Sequence, residues 1–468
     1  MVEPGPAQSR AAGVRGNRAN GAQAREEPRV DCPKMDQRAF PAGFLWGTST
    51  SAHQVEGGNE NNDWWEWEKQ PGRIRDGSRS GEACRWWSGA AEEDLAAAAS
   101  LGHNSHRLSV EWSRLEPEPG RWDDAAFARY GRLLAAMRRL GLSAMVTLNH
   151  ITLPRWVAAR GGWLARDIAP AFARFAEECI RRLGGAVDHW ATINEPATVA
   201  GAGYAETFWP PALGSVRAGM RALGAMLEAH GAAYRAMKRV HPGASIGIVV
   251  SAPRFEPARR SSRVDTLICA AQDWVFLGST LRALRTGSIF PPLLAPARSE
   301  GLRGSLDFLG VNYYGQYAVR FDPLLHDRLF GRHVQEPTIR EGHCDWGQIS
   351  PGGLTRQLVR LSALGVPLYV TENGIHDPAD AIRPGFLVDH VAAVREAIGQ
   401  GADVRGYFHW ALVDNFEWAE GWLPRFGLIE VDPATQKRTP RPSAQLYARI
   451  CQSNGATERR VEGGRRTF

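Results

Sequence analysis

His189-Trp190-Ala191-Thr192-Ile193-Asn194-Glu195-Pro196 runs a β-favouring, mostly apolar segment straight into an amide, a carboxylate and a proline. Such a run reads as a strand covered on both faces. Pro196 ends it, because proline has no N–H to give to a ladder. Seven other runs have the same shape: Phe44–Thr50, Ser105–Val110, Ala144–His150, Ser245–Ser251, Asp307–Tyr314, Pro367–Asn373 and Gly406–Leu412. Between them lie segments with apolar residues three and four apart, the spacing of a helix packed by one face. These are Ala91–Leu101, Ala125–Leu140, Ala169–Leu183, Arg221–Val240, Val264–Arg285, Leu354–Leu364 and Phe386–Gln400, with Ser443–Cys451 as a closing helix. Eight strand–helix units with buried strands predict the α/β class and a single-domain (β/α)8 TIM barrel over residues 38–452. The competing open, doubly wound sheet has no support from a G-x-G-x-x-G turn after its first strand.

Outside the barrel, residues 1–37 are expected to form a disordered leader and 453–468 a disordered tail. The leader has no apolar core of the kind a secretory signal carries. No apolar run approaches the length of a membrane span, so none is expected. A net charge of +6 raises the question of nucleic acid. The excess is almost all arginine and part of it lies in the tail, at Arg459, Arg460, Arg465 and Arg466. A nucleic-acid partner is therefore not expected. The 6 cysteines are scattered, with no C-x-x-C pair, which argues against a zinc site or disulfide framework and for a reducing, cytoplasmic compartment. The 17 tryptophans, some set among carboxylates and amides as in Asp63-Trp64-Trp65-Glu66-Trp67, suit a ligand with C–H faces and hydroxyls together.

In a barrel of this type the chemistry sits at the C-terminal ends of the strands. Here those ends read Thr50-Ser51-Ala52-His53-Gln54, Glu111-Trp112, Leu148-Asn149-His150, Asn194-Glu195-Pro196, Asn312-Tyr313-Tyr314, Thr371-Glu372-Asn373-Gly374 and Trp410 followed by Asp414-Asn415-Phe416-Glu417-Trp418. The fourth and seventh strands face each other across the mouth, and each ends in a glutamate. Two opposed carboxyl groups suit cleavage of a glycosidic bond: one protonated to assist the leaving oxygen, one ionised to attack the anomeric carbon.

These motifs, with Phe44-Leu45-Trp46-Gly47-Thr48, Trp112-Ser113-Arg114 and Arg425-Phe426-Gly427-Leu428, occur in an order that resembles glycoside hydrolase family 1, the β-glucosidase and β-galactosidase family. The resemblance implies that Glu195 is the acid/base and Glu372 the nucleophile. It implies that Arg107 and Tyr314 hold the nucleophile, which physically favours the ionised carboxylate. It assigns Asn194 to the sugar 2-hydroxyl, Gln54, His150, Glu417 and Trp418 to the other hydroxyls, and Trp410 to the floor under the ring. A retaining double displacement follows, with carboxyl groups about 5–5.5 Å apart and no cofactor or metal. The implied partner is a small β-glycoside or oligosaccharide, with β-glucosides foremost and β-galactosides and β-fucosides as side substrates. Transglycosylation and 6-phospho-β-glycoside cleavage are the enzyme alternatives; the acidic Glu417 stands where the latter needs a phosphate-binding group. A non-catalytic sugar-binding relative is the alternative of another class. One segment departs from the family pattern: in Cys344-Asp345-Trp346-Gly347-Gln348-Ile349-Ser350-Pro351, aligned on Pro351, Gly347 holds the position of a sugar-contacting tryptophan. Trp346 falls one residue early and is not counted with the site.

Overall fold

Gly47 lies where two strands come so close that a Cβ would meet the Ser105 carbonyl oxygen at 2.4 Å. The computed structural model describes residues 35–36, 39–289, 297–298, 301–325, 329–334, 346–455 and 457–458. The leader through Lys34, the arginines from Arg459 onward, Cys32 and Cys344-Asp345 lie outside the described residues. Gly47 belongs to β1 (Leu45–Ser49), followed by β2 (Ser105–Ser109), β3 (Ser143–Asn149), β4 (His189–Asn194), β5 (Ser245–Ser251), β6 (Phe308–Asn312), β7 (Leu368–Asn373) and β8 (Val404–Trp410). All eight pair in parallel in chain order, and β8 pairs with β1, so the sheet closes into a barrel. The eight expected strands are these eight, each within a few residues of its expected ends.

Inside the barrel, away from the mouth, Met145, Ala191, Val249, Phe308, Tyr369 and Phe408 pack together with Leu45 against them. This plug is the floor on which the polar mouth is built. Outside lie the helices α1 (Ala91–Ser100), α2 (Asp124–Arg139), α3 (Ile168–Leu183), α4 (Val216–Val240), α5 (Arg263–Asp273), α6 (Pro351–Leu361), α7 (Arg383–Gly399) and α8 (Pro442–Gln452). Each buries one stripe; α3 buries Phe172, Phe175, Cys179, Ile180 and Leu183. Full burial of such side chains contributes about 1.5–3 kcal/mol each.

The structure departs from expectation in three places. The helix expected as one piece over Val264–Arg285 is α5, a π turn at Trp274–Gly278 and a separate segment, Ser279–Thr286. Helices α4 and α6 begin earlier than their apolar periods, because Ser215 and Ser350 cap them by accepting from Ala218 N and Gly353 N. An unanticipated small sheet joins Arg254–Pro257, Gln316–Phe321 and Gly331–Val334 beyond the barrel. Just past the expected boundary at 453, Asn454 accepts from Trp46 Nε1 at 3.0 Å and donates to the Phe40 carbonyl, which ties the residues after α8 to β1 and to Phe40.

The end of β8 is tied to the last helix by a buried ion pair. Arg441 grips Asp414 through two bonds, 3.0 and 2.8 Å, and Gly427 N donates to the same carboxylate. Removing one partner leaves an uncompensated buried charge. Arg441→Met is expected to lower stability by about 3–5 kcal/mol, read as a fall in the urea midpoint.

Candidate active site

Alternation along a strand sends neighbouring side chains to opposite faces, yet the mouth of this barrel is lined by consecutive residues. Asn194 and Glu195 both reach inward, as do Thr371 and Glu372. The pairing register shifts between Ala191 and Asn194 in β4, between Val311 and Asn312 in β6, and between Val370 and Asn373 in β7. Such bulges re-aim side chains. Glu195 also takes a left-handed backbone, φ 48° and ψ 58°, immediately before Pro196, which starts the short helix Pro196–Val199. A non-glycine residue held there costs of order 1–3 kcal/mol, a strain typical of functional positions.

Glu372 lies 4% exposed at the centre. Arg107, itself fully buried, donates to its Oε1 at 2.5 Å, and the Tyr314 hydroxyl donates to Oε2 at 2.7 Å. Arg107 further donates to Thr147 Oγ1 at 3.0 Å and Asn194 Oδ1 at 2.6 Å. Burial, and then the Glu372, Glu417 and Glu195 carboxylates, push the Tyr314 phenol well above its ordinary range, so it stays a donor.

Among the described residues Glu195 has no cation in hydrogen-bond contact. Its Oε1 accepts from Asn312 Nδ2 at 2.7 Å. Burial and the nearby Glu372 charge push it up to about 7, with Asn312, Thr198 and Arg107 pulling it back. The two glutamates thus sit in opposite environments, one bound by a cation and a phenol, the other by a neutral amide.

Around them stand the remaining expected residues. Ser51 Oγ donates to Gln54 Oε1, which turns Gln54 Nε2 toward Glu417 Oε2 at 3.1 Å; Asn415 Nδ2 donates to the same oxygen. Burial above all raises Glu417 to about 8. A carboxyl that keeps its proton at neutral pH both donates and accepts. The His150 ring lies nearly parallel to Trp410 at 6.0 Å and to Trp418 at 6.2 Å. Burial, and next Arg107, hold it well below the usual histidine range and therefore neutral. All ten residues expected at the site are brought to this one mouth.

Sequence reasoning passed over several others. Asn312 was read only as the end of a strand. His53, given no role, stacks on Trp418 at 5.8 Å and is bonded by Asn62. Trp64, from the short helix Asp63–Glu68, and Trp209, from a loop, both pack against Trp418. Trp346, left out of the site, meets Phe426 edge-on at 4.9 Å, in a cluster that includes Trp410 and Tyr314. Gly347 beside it has φ +91°, and a Cβ there would meet the Gln316 carbonyl oxygen at 2.9 Å. This backbone excludes a tryptophan at 347. Among the described residues no group of three or more His, Cys, Asp or Glu is arranged to hold a metal ion. Nor is any described helix long and apolar enough to cross a membrane.

A closed (β/α)8 barrel with paired carboxyl groups in opposite electrostatic settings, ringed by amides and indoles, defines a barrel glycosidase. The chain belongs to glycosyl hydrolase family 1, whose sequence profile matches residues 36–456. It is 30% identical to "Beta-glucosidase A" of Thermotoga maritima over 90% of this chain and 99% of that one. It is 31% identical to a "Beta-galactosidase" of Sulfolobus acidocaldarius over 90% and 96% respectively. Among solved structures, the beta-glycosidase from Pyrococcus horikoshii matches with a TM-score of 0.82 and 36% identity, over 90% of this chain and 96% of that one. The protein is a glycoside hydrolase, and its family acts with retention at the anomeric carbon.

The electrostatic coupling can be measured directly. Glu372→Gln removes the negative charge beside Glu195, so the Glu195 carboxyl should titrate lower by about one unit, followed by carbon NMR of labelled glutamate side chains.

Proposed function

We propose that this protein is a β-glucosidase that also accepts β-galactosides and β-fucosides, with Glu372 as nucleophile and Glu195 as acid/base. The observation that carries the reading is the division of partners between the two carboxyl groups: Arg107 and Tyr314 on Glu372, a neutral amide on Glu195. Glu372 attacks the anomeric carbon while Glu195 gives its proton to the departing oxygen. Esterification removes the Glu372 charge, Glu195 becomes more acidic, and it accepts a proton from the water that releases the sugar.

Asn194 takes the 2-hydroxyl, an interaction that strengthens in the transition state. Gln54, His150, Glu417 and Trp418 take the hydroxyls further round the ring, and Trp410 lies under its C–H face. A 4-hydroxyl in either configuration falls within reach of Gln54 and Glu417, which supports gluco and galacto acceptance together. No cofactor enters the scheme. The partner is a small β-glycoside or oligosaccharide, and nucleic acid has no part in it. The described cysteines Cys84, Cys179, Cys269 and Cys451 are all free and buried, which supports a cytoplasmic location.

Glu372→Ala is expected to lose aryl β-glucoside hydrolysis by at least about 10⁴-fold. Azide should partly restore turnover and yield the α-glycosyl azide, identified by proton NMR. For wild type, kcat/KM on a poor leaving group should fall as pH rises through about 7, where Glu195 loses its proton. A panel of nitrophenyl β-glycosides, with products analysed for sugar transfer, ranks the substrates. Absence of activity on every glycoside of the panel would overturn the assignment.

A further inference from the structure

Arginine offers only hydrogen-bond donors, and here that fixes the direction of bonds two side chains away. The Asn194 atom 2.6 Å from Arg107 Nη2 must be its oxygen. The same oxygen lies 3.1 Å from Asn312, so Asn312 presents its amide nitrogen there. That nitrogen is also 2.7 Å from Glu195 Oε1. Asn312 Oδ1 therefore faces the Thr371 hydroxyl, which donates to it at 2.7 Å. Asn312 and Thr371 are fully buried. Turning the amide over would set two oxygens against each other at Asn194 and deprive Glu195 of a donor, both costly away from water.

We propose that Asn312 is a positioning residue for the acid/base: its amide, locked between Asn194 and Thr371, keeps an N–H on Glu195 Oε1, so that Glu195 carries and delivers its proton from Oε2. The proposal rests on the assignment of Glu195 as acid/base. In the first step the bond from the anomeric carbon to the leaving oxygen breaks, the bond to Glu372 forms, and the Oε2 proton passes to the leaving oxygen. The carboxylate that remains is met at Oε1 by an N–H already in place. In the second step water adds to the anomeric carbon, the Glu372 ester breaks, and the water proton returns to Oε2. The charged and titratable groups facing this carboxyl are Glu372 from β7, Arg107 from β2 and Tyr314 after β6, with His150 after β3 one contact away through Asn194. Asn312 is neutral, so replacing it changes hydrogen bonding and leaves those charges untouched.

The test compares pH profiles of kcat/KM on a nitrophenyl β-glucoside for wild type, Asn312→Ala, Thr371→Val, Thr371→Ser and Glu195→Ala. Loss of a donor to the carboxylate should move the alkaline limb up by about one unit in Asn312→Ala. Thr371→Val, nearly isosteric, should move it the same way by less, and Thr371→Ser should restore the wild-type limb. With a dinitrophenyl glucoside, whose departure needs no acid, Asn312→Ala should lower kcat by roughly 10-fold, because Oε2 is no longer held toward the attacking water. An alkaline limb unmoved in both Asn312→Ala and Thr371→Val overturns the proposal. Glu195→Ala separates the two readings. If it abolishes the limb while the Asn312 and Thr371 variants leave it in place, only the positioning role falls. If it leaves the limb intact, the acid/base assignment falls as well.

Discussion

A guanidinium with no access to water sits at the centre of this barrel mouth, and the site is arranged around what it requires. Burying an unpaired charge costs several kcal/mol even after relaxation. Arg107 meets that cost with one carboxylate, one amide oxygen and one hydroxyl, supplied by β7, β4 and β3. Because it can only donate, each partner must turn an acceptor toward it. Asn194 turns its oxygen inward and its nitrogen outward to His150 Nε2, 3.4 Å away. That contact makes Nε2 the acceptor and leaves the ring proton on Nδ1, which has no partner among the described residues. A single cation thus orders the Glu372 carboxylate, the Asn194 amide and the His150 tautomer.

The opposition between the two glutamates follows from the same arrangement. Both lie in the same mouth, and burial there raises Glu195. Glu372 receives the cation and the phenol; Glu195 receives an amide and stays near its neutral form. Glu417, the third carboxyl of the mouth, is raised by burial to about 8. The chemistry therefore depends less on which acids are present than on where their compensating donors stand.

Much of this was legible in the sequence, for a physical reason. Parallel strands covered on both faces must be apolar along their length, so the eight runs stand out, and the polar residues ending them mark the mouth. The strand-end glutamates and Trp410 were visible on that ground, whereas Arg107, inside β2, was singled out only by the family resemblance. The register shifts were not, because a bulge inserts nothing the alternation can register. Without them neither Thr371 beside Glu372 nor Asn194 beside Glu195 reads as a pair of inward side chains. Asn312 was passed over because its partners lie on β4 and β7, and no local pattern records contacts between distant strands. The π turn after α5 hides in the same way, since its apolar spacing is that of a helix. At Trp346-Gly347 the sequence shows a glycine but not the reason for it; the backbone pressed against Gln316 is a three-dimensional fact.

The two glutamates proposed for the reaction stand at strand ends braced by the barrel, whereas Trp209 and Trp346 come from the surrounding loops. The two sets draw on different parts of the chain. Loops tolerate insertion and replacement far better than packed strands. Changes in those loops can therefore reshape the surroundings of the mouth while the packed strand ends stay fixed, as a lathe accepts new chucks without a change of spindle.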